Sequence, residues 1–317
     1  MISVAMTTCN GEKYVRKQLD SIMNQSMQVD EIVICDDCSH DRTVEIVKEY
    51  PVQLFVNETN LGFKQNFRKA MELCHGDYIF LCDQDDIWEL NKVEKMIGVI
   101  QKHPEIHVVS SAFRLIDAED RFIDNGKKRT LYPYVKPDEQ LVSIPFDSLV
   151  SINYFQGAAL LMDRWIMEEA LANYDTRIEH DWLICMLAAS YGSLFLYNFP
   201  LFRYRLHQAN QIGISSEGES GMEHFVKTNE ETVRKQAAYN AINVISIVKN
   251  ANIEYYQNRE KWFEGIESFC TEHIQMLESR NILGLLKENF SPYYGVIKTR
   301  KARIMYIIFA IMRRKTI

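Results

Sequence analysis

Short apolar segments alternate with amphipathic segments through the N-terminal third of the chain, and this alternation constrains the fold more than any other feature of the sequence. The segments "ISVAMTT", "EIVICDD" and "YIFLCD" are largely apolar, whereas "EKYVRKQLDSIMNQ" and "FKQNFRKAMELC" place apolar residues near helical spacing. Strands separated by helices of this length predict βαβ crossovers and a parallel sheet. Helices would cover both faces of that sheet, which explains strands that are apolar on both sides.

Polar side chains collect where the predicted strands end. In chain order they are Thr7, Thr8, Asn10, Asp36, Asp37, Asp83, Asp85 and Asp86. Ligands of open parallel sheets bind beyond the carboxyl ends of the strands. The sequence therefore predicts one binding site at this edge of the sheet.

The stretch "DQDD" places three carboxylates, Asp83, Asp85 and Asp86, within four positions. They repel one another unless a cation or hydrogen-bond donors hold them. Carboxylate oxygens suit Mg²⁺ or Mn²⁺, which commonly complete their coordination with phosphate oxygens. The residues favour a divalent cation that binds a diphosphate, and a solvated acidic turn with a helix-capping Asp is the alternative.

Several other classes of protein are disfavoured. The sequence has no G-x-G-x-x-G after the first strand, no G-x-x-x-x-G-K-[ST] and no G-x-S-x-G, which argues against dinucleotide-binding, P-loop and common serine hydrolase folds. A formal net charge of -7 argues against a nucleic-acid partner. The seven cysteines lie mostly in apolar stretches, as expected for reduced thiols in a cytoplasmic protein. Cys35 and Cys38 lack a second pair that would complete a zinc site.

The composition changes after "SSEGESG", so we expect an α/β domain over residues 1–215 and a helical region over 216–317. No secretory signal is visible, and no apolar run has the roughly 18 residues needed to span a bilayer. The segment "KTRKARIMYIIFAIMRRK" has an apolar centre, Ile304–Met312, between basic flanks. It predicts a helix that lies on an anionic membrane surface. A packed terminal helix, and a homodimer formed by the helical region, stay open as alternatives.

The blocks "SVAMTTCNGEKYVRKQLDSIMNQ", "EIVICDDCSHDRTVEIV", "NLGFKQNFRKAM" and "GDYIFLCDQDDIW" resemble the opening blocks of family 2 glycosyltransferases, and "QGAALLM", "EHDWLICMLA" and "YRLHQANQIG" continue the resemblance. It covers roughly the first two-thirds of the chain. The resemblance implies a GT-A fold, Rossmann-like with a mostly parallel sheet flanked by helices, and here a C-terminal helical extension. It also implies metal-dependent, inverting transfer of a sugar from a nucleotide-sugar.

The resemblance also implies roles for individual residues. The metal would be Mn²⁺ or Mg²⁺, held by Asp85 with Asp83 and His207 in a variant of the family's D-x-D motif. The general base would be Asp181, with Glu179 as the other candidate. The residues implied in nucleotide and donor binding are Thr8, Asn10, Glu12, Asp36, Asp37, Asp83, Asp86, Gln156, Gly157 and Arg205. Within this set, Asp37 is the preferred contact to the base and Arg205 a phosphate partner.

Alternatives accompany these roles. Asp36 and Asp37 could instead cap the next helix, and Glu179 and Asp181 could simply favour the positive end of a helix dipole. A small residue at Gly157 would leave room for a sugar.

The forms "DQDDIW" and "YRLHQAN" resemble the rhamnosyltransferase-like branch of the family. This implies L-rhamnose from dTDP-rhamnose as donor, and a lipid-linked or polysaccharide acceptor in cell-surface glycan synthesis at the inner face of the plasma membrane. A glucosyl-, galactosyl- or N-acetylhexosaminyltransferase using a UDP-sugar would carry the same acids. More remote alternatives are a metal-dependent nucleotidyltransferase and a non-catalytic glycan-binding protein. The first would normally show a Gly- and basic-rich loop that "TTCNGEKY" lacks.

Overall fold

The computed structural model describes residues 1–123, 126–133, 135–136, 139–207, 231–251 and 253–297. The chain forms two compact units. The first comprises Met1–Pro145 and Tyr154–Ser215, and the second comprises Phe146–Asn153 and Ser216–Ile317. Residues 146–153, which the sequence analysis placed in the first domain, therefore belong to the second unit.

The first unit has the predicted α/β fold. Its strands are β1 (Ile2–Thr8), β2 (Glu31–Asp36), β3 (Gln53–Val56), β4 (Tyr78–Cys82), β5 (Ile87–Trp88), β6 (Val108–Ile116), β7 (Lys128–Arg129), β8 (Leu141–Ser143), β9 (Leu160–Asp163) and β10 (Leu194–Arg205). Its helices are α1 (Val15–Met23), α2 (Thr43–Val47), α3 (Phe63–Glu72), α4 (Lys92–Lys102), α5 (Arg164–Ala172) and α6 (His180–Ser190). The alternation predicted for the N-terminal third is confirmed.

The ten strands of the described residues form one mixed sheet in the order β3-β2-β1-β4-β9-β6-β10-β5, with β7 beside β6 and β8 beside β10. The β1–β2, β1–β4, β2–β3 and β6–β10 pairs are parallel. Strand β9 is antiparallel to both β4 and β6, so β6 and β10 run in the same direction as β4. The carboxyl ends of β1, β2, β4, β6 and β10 therefore meet at one edge of the sheet, which we call the rim.

A buried apolar core fixes the strands that lead to the rim. Val4, Met6, Ile34 and Phe80 are fully buried in it, together with Leu19 of α1. Complete burial of one such side chain stabilises the fold by about 1.5–3 kcal/mol. The loops that follow β1, β2 and β4 therefore begin from rigid positions.

One predicted element differs from the structure. The segment expected to form a pair of strands is the single strand β10, whose pairing with β6 is irregular between Tyr197 and Phe202. Pro200 lies in this irregular region, and proline cannot donate a hydrogen bond to the neighbouring strand. The strand accommodates it with a local irregularity rather than a turn.

The second unit consists of helices in its described part. They are α7 (Glu231–Asn250), α8 (Glu254–Gln257), α9 (Glu260–Glu278), α10 (Ile282–Lys287) and α11 (Tyr294–Ile297). Residues 146–153 join this unit through Ser151, whose Oγ donates to the carbonyl oxygen of Val296 at 2.7 Å. None of the helices in residues 231–251 and 253–297, or in the described part of the first unit, is long and apolar enough to cross a membrane. The predicted membrane-surface segment, residues 300–317, lies outside the described residues.

Candidate functional site

Gln84 attaches the acidic loop that follows β4 to the loop that follows β1. Its Oε1 accepts from the backbone N–H of Cys9 at 2.8 Å, and its Nε2 donates to the Cys9 carbonyl at 3.0 Å. Gly11 permits this close approach, because a Cβ at that position would lie 2.1 Å from Gln84 Oε1. The residue between the two acids of the D-x-D motif thus orients the loop that carries them.

Asp85 and His207, two of the predicted metal ligands, lie side by side at the rim. Asp85 Oδ2 is 2.7 Å from His207 Nε2, and both side chains are largely buried. The His207 ring packs against Tyr14, with 5.0 Å between ring centroids. Because β10 ends at the same edge as β4, a histidine distant in sequence reaches the acidic loop.

The neighbouring carboxylates Asp83 and Asp86 concentrate negative charge at the rim. Burial, followed by repulsion from Asp85 and Asp181, raises the pKa of Asp83 to about 7. Burial, followed by repulsion from Asp85 and Asp83, raises the pKa of Asp86 well above its usual value. Asp86 Oδ1 accepts from the N–H of Arg205 at 3.0 Å, whereas its buried Oδ2 has no hydrogen-bond partner among the described residues. Such a cluster is a favourable environment for a cation.

Asp181 lies in the first turn of α6 and is oriented by two backbone N–H groups. Its Oδ2 accepts from Gly157 at 3.1 Å, and its Oδ1 accepts from Trp182 at 2.7 Å. Burial nevertheless raises the pKa of Asp181 to about 7, so the expectation that the helix dipole alone would keep it ionised is not met. A carboxylate with this pKa is suited to accept a proton near neutral pH. Glu179, the other candidate, lies just before the helix with its Oε1 3.5 Å from Lys64 Nζ.

Arg205 does not lie where the sequence analysis placed it. Its side chain is completely buried, with Nε donating to the Asp85 carbonyl at 2.6 Å and Nη1 to the Asp117 carbonyl at 3.0 Å. The guanidinium also pairs with Asp120 and lies over the Tyr14 ring. In this position it holds the acidic loop from below, and it is not available to a diphosphate. The prediction of a phosphate contact is wrong because the charge is consumed within the fold.

Thr8, Asp36 and Asp37 stabilise the loops around the predicted nucleotide pocket. Asp36 Oδ2 accepts from Thr8 Oγ1 at 2.6 Å, and both residues are buried. Asp37 is also buried and accepts from the N–H groups of Leu61 and Gly62 at 2.7 and 2.9 Å. Neither acid caps α2, which was the alternative. The direct contact between Asp37 and a base stays a prediction.

Asn10 and Glu12 are exposed and connect the loops that follow β1 and β2. Asn10 adopts a positive φ of 49° and accepts from the N–H of His40 at 2.9 Å. Glu12 Oε2 accepts from the N–H of Arg42 at 3.0 Å. They therefore border the opening between these loops, where a nucleotide was predicted.

Gln156 and Gly157 lie next to the proposed base, immediately before β9. A Cβ at Gly157 would lie 3.0 Å from His180 Nε2, so the packing of His180 already requires a small residue there. His180 is stacked on Phe67, with 4.1 Å between ring centroids. Gln156 Oε1 is buried with no hydrogen-bond partner among the described residues.

The sequence analysis missed Lys92, at the start of α4. Its side chain is completely buried, Nζ donates to the Ala158 carbonyl at 2.6 Å, and the ammonium group lies 4.3 Å from the Trp88 ring centroid. Burial lowers the pKa of Lys92 to about 7. No signal distinguishes this lysine in "ELNKVEK" from the exposed lysines of an amphipathic helix.

The acidic residues at the rim fit a hard divalent cation. No group of three or more His, Cys, Asp or Glu side chains within the described ranges is arranged to hold a metal ion. Mg²⁺ commonly takes only one or two protein carboxylates and completes its coordination with water and phosphate. Asp85, beside His207 and near the unpartnered Asp86 Oδ2, offers that kind of site.

The sequence model of the family described as "Glycosyl transferase family 2" matches residues 3–155. An uncharacterised protein of Mycobacterium tuberculosis is 27% identical over 215 residues, which are 65% of this chain and 59% of that protein. The chain therefore spans less than two-thirds of the length of this relative. Chondroitin synthase of Escherichia coli is 32% identical over 136 residues, which are 42% of this chain and 20% of that enzyme.

Solved structures of S. aureus TarS share the fold. The structure of TarS 1-349 in complex with UDP-GlcNAc superposes with a TM-score of 0.58 and 16% identity, covering 99% of this chain and 91% of that chain. The complex with UDP has a TM-score of 0.56 and 15% identity over the same shares. At this identity the likeness concerns the fold alone.

Proposed function

Because the chain carries a family 2 glycosyltransferase domain, we propose that it transfers a sugar from a nucleotide-sugar to a glycan acceptor in the synthesis of a cell-surface polysaccharide. The observation that carries the proposal is the meeting, at one rim, of the Asp85–His207 pair with Asp181, a buried carboxylate whose pKa is about 7. The first group suits a metal-bound diphosphate, and the second suits a base.

A nucleoside diphosphate sugar is the proposed donor. The TarS structures that share this fold contain UDP and UDP-GlcNAc, which supports a donor of this class. L-Rhamnose from dTDP-rhamnose is the sugar we propose first, on the "DQDDIW" and "YRLHQAN" forms. A glucosyl, galactosyl or N-acetylhexosaminyl donor linked to UDP is the second candidate, and the UDP-GlcNAc complex of TarS favours it. The proposed acceptor is a lipid-linked or polymeric glycan.

Asp181 is the proposed general base of an inverting transfer. Its carboxylate takes the proton of the acceptor hydroxyl while that oxygen bonds to the anomeric carbon, and the bond from this carbon to the diphosphate breaks on the opposite face. The N–H groups of Gly157 and Trp182 hold the carboxylate in one orientation. Glu179 is held towards Lys64, so it is the less direct candidate.

Mn²⁺ or Mg²⁺ would be held by Asp85 with His207 and Asp83. When bound, such an ion would stabilise the negative charge that develops on the leaving nucleoside diphosphate. The chain prepares this position in two ways. Gln84 fixes the acidic loop from one side, and buried Arg205 fixes its backbone from below through the Asp85 carbonyl.

A nucleotide-release screen across dTDP- and UDP-sugars, with and without Mn²⁺, tests the proposal. We expect release with one donor class and only with a divalent ion. Asp85→Asn and Asp181→Asn should each lower the rate by about 100-fold or more, whereas the exposed Glu105→Gln should not. Activity in the presence of a chelator would contradict the metal assignment. Pyrophosphate as the product would indicate a nucleotidyltransferase, and binding without release would indicate a glycan-binding protein.

The place of action is a separate part of the proposal. We propose that the protein works at the inner face of the plasma membrane, with the basic and apolar segment 300–317 on the lipid surface. Deletion of residues 300–317 should move the protein from the membrane fraction to the soluble fraction. Unchanged partitioning would contradict this part without affecting the proposed reaction.

A further inference from the structure

Helix α10 and the turn that follows it expose three large apolar side chains in the second unit. Leu283, Leu286 and Phe290 have relative exposures of 73%, 42% and 91%. Their spacing of three and seven residues places them on one face of a helical segment. We call these three residues the apolar patch.

The packing of α10 on α9 prevents the patch from turning inward. Leu285, on the opposite face, is buried against Leu277. Gly284 approaches α9 so closely that a Cβ would lie 2.7 Å from Met276 Sδ. The N–H of Gly284 donates to Asn281 Oδ1 at 2.9 Å, which fixes the start of the helix. The apolar patch is therefore presented to the exterior by a rigid support.

The part of the sequence around the patch is strongly basic. Residues 280–317 contain nine lysine and arginine residues and one acidic residue, Glu288, in a chain whose formal net charge is -7. Glu288 does not offset this charge at the surface, because it is buried with its Oε2 2.8 Å from His273 Nδ1. Lys287, next to Leu286, is exposed.

We propose that the apolar patch inserts into the surface of an anionic lipid bilayer, with the basic residues of 280–317 contacting the headgroups. Exposed leucine and phenylalanine side chains flanked by basic residues match the interfacial region of a membrane in both polarity and charge. A symmetric dimer formed through the patch would instead bring two such basic segments together, and their repulsion opposes that arrangement. This site is distinct from segment 300–317 and does not depend on the proposed reaction.

Vesicle co-sedimentation of the full chain tests the proposal. We expect binding to vesicles that contain phosphatidylglycerol, weak binding to pure phosphatidylcholine, and release at about 0.5 M salt, where surface charges are screened. The triple variant Leu283→Ser, Leu286→Ser and Phe290→Ser should reduce binding by about tenfold or more, because the apolar contribution is lost. Leu90→Ser, a matched change at a residue 63% exposed in the first unit, should bind as the wild type does.

Three results would overturn the proposal. The wild type could fail to bind anionic vesicles, or the triple variant, shown to be folded by circular dichroism, could bind them normally. A wild-type dimer that the triple variant converts to a monomer, with vesicle binding unchanged, would assign the patch to self-association.

Discussion

Asp85 Oδ2 lies 2.7 Å from Nε2 of His207, a residue 122 positions further along the chain. The mixed sheet produces this contact, because β4 and β10 end at the same rim although three other connections separate them in sequence. The pair joins the acidic loop to the end of the last strand. It is the closest link between the two motifs that the sequence assigned to a metal.

Replacing His207 should weaken the response of the enzyme to metal. We expect His207→Ala to raise the Mn²⁺ concentration for half-maximal activity by about 10- to 100-fold, because Asp85 loses the ring that fixes its carboxylate. Titration of activity with Mn²⁺ measures this effect. His103→Ala, an exposed histidine, is the control, and equal titration curves for both variants would show that His207 has no part in metal binding.

The rate should depend on the ionisation of Asp181. Since a base must be deprotonated and its pKa is about 7, kcat/KM should fall by about tenfold for each pH unit below that value and level off above it. The pH profile of transfer, recorded with saturating metal, measures this dependence. A profile that is flat from about pH 5.5 to 8 would contradict the role of Asp181 as the base.

The same carboxylate should lower stability at high pH. The pKa of Asp181 is about 7 in the folded protein and 3.8 as a model value, so the native state binds its proton more tightly than the unfolded state does. Stability contributed by this group is therefore lost as the pH rises from the lower value through the higher one. Asp181→Asn should have a higher Tm than the wild type near pH 8 and no such advantage near pH 4. Thermal unfolding at the two pH values tests the sign.

Lys92 should act as a positioning residue for Asp181. Its Nζ holds the Ala158 carbonyl, next to the Gly157 N–H that binds Asp181, so Lys92→Met should loosen that N–H. We expect kcat to fall by about tenfold while the affinity for UDP changes little, since small displacements of a catalytic group are costly. Lys102→Met, at the other end of α4, is the matched control. Equal kcat values for the two variants would remove Lys92 from this role.

Gly11 and Gln84 should be energetically coupled. Gly11→Ala should expel the Gln84 side chain from its bonds to Cys9 and destabilise the fold by about 1–3 kcal/mol. In Gln84→Ala that clash is absent, so the double variant should be much less destabilised than the sum of the two single changes. A double-mutant cycle by urea unfolding measures the coupling. Strict additivity would show that the two side-chain positions do not compete for space.

The sequence by itself determined the alternation of strands and helices and the polar residues that end each strand, because periodicity and turn chemistry are local properties of a chain. Since parallel strands share an edge, the gathering of Thr8, Asp36 and Asp85 near one rim also followed from the sequence. The same local patterns could not show that β10 is one strand, because a strand interrupted by Pro200 and a strand pair look alike.

Tertiary structure alone decided which charges are buried and what they contact. Arg205 was predicted to bind phosphate, yet it is enclosed beneath Asp85, while Lys92 resembles a surface residue in sequence and is completely buried. The pKa of Asp181 likewise depends on burial and on two N–H groups, one of them from Gly157 in a distant segment. Electrostatic energies depend on distance and on exclusion of water, and both are set only when remote segments pack together.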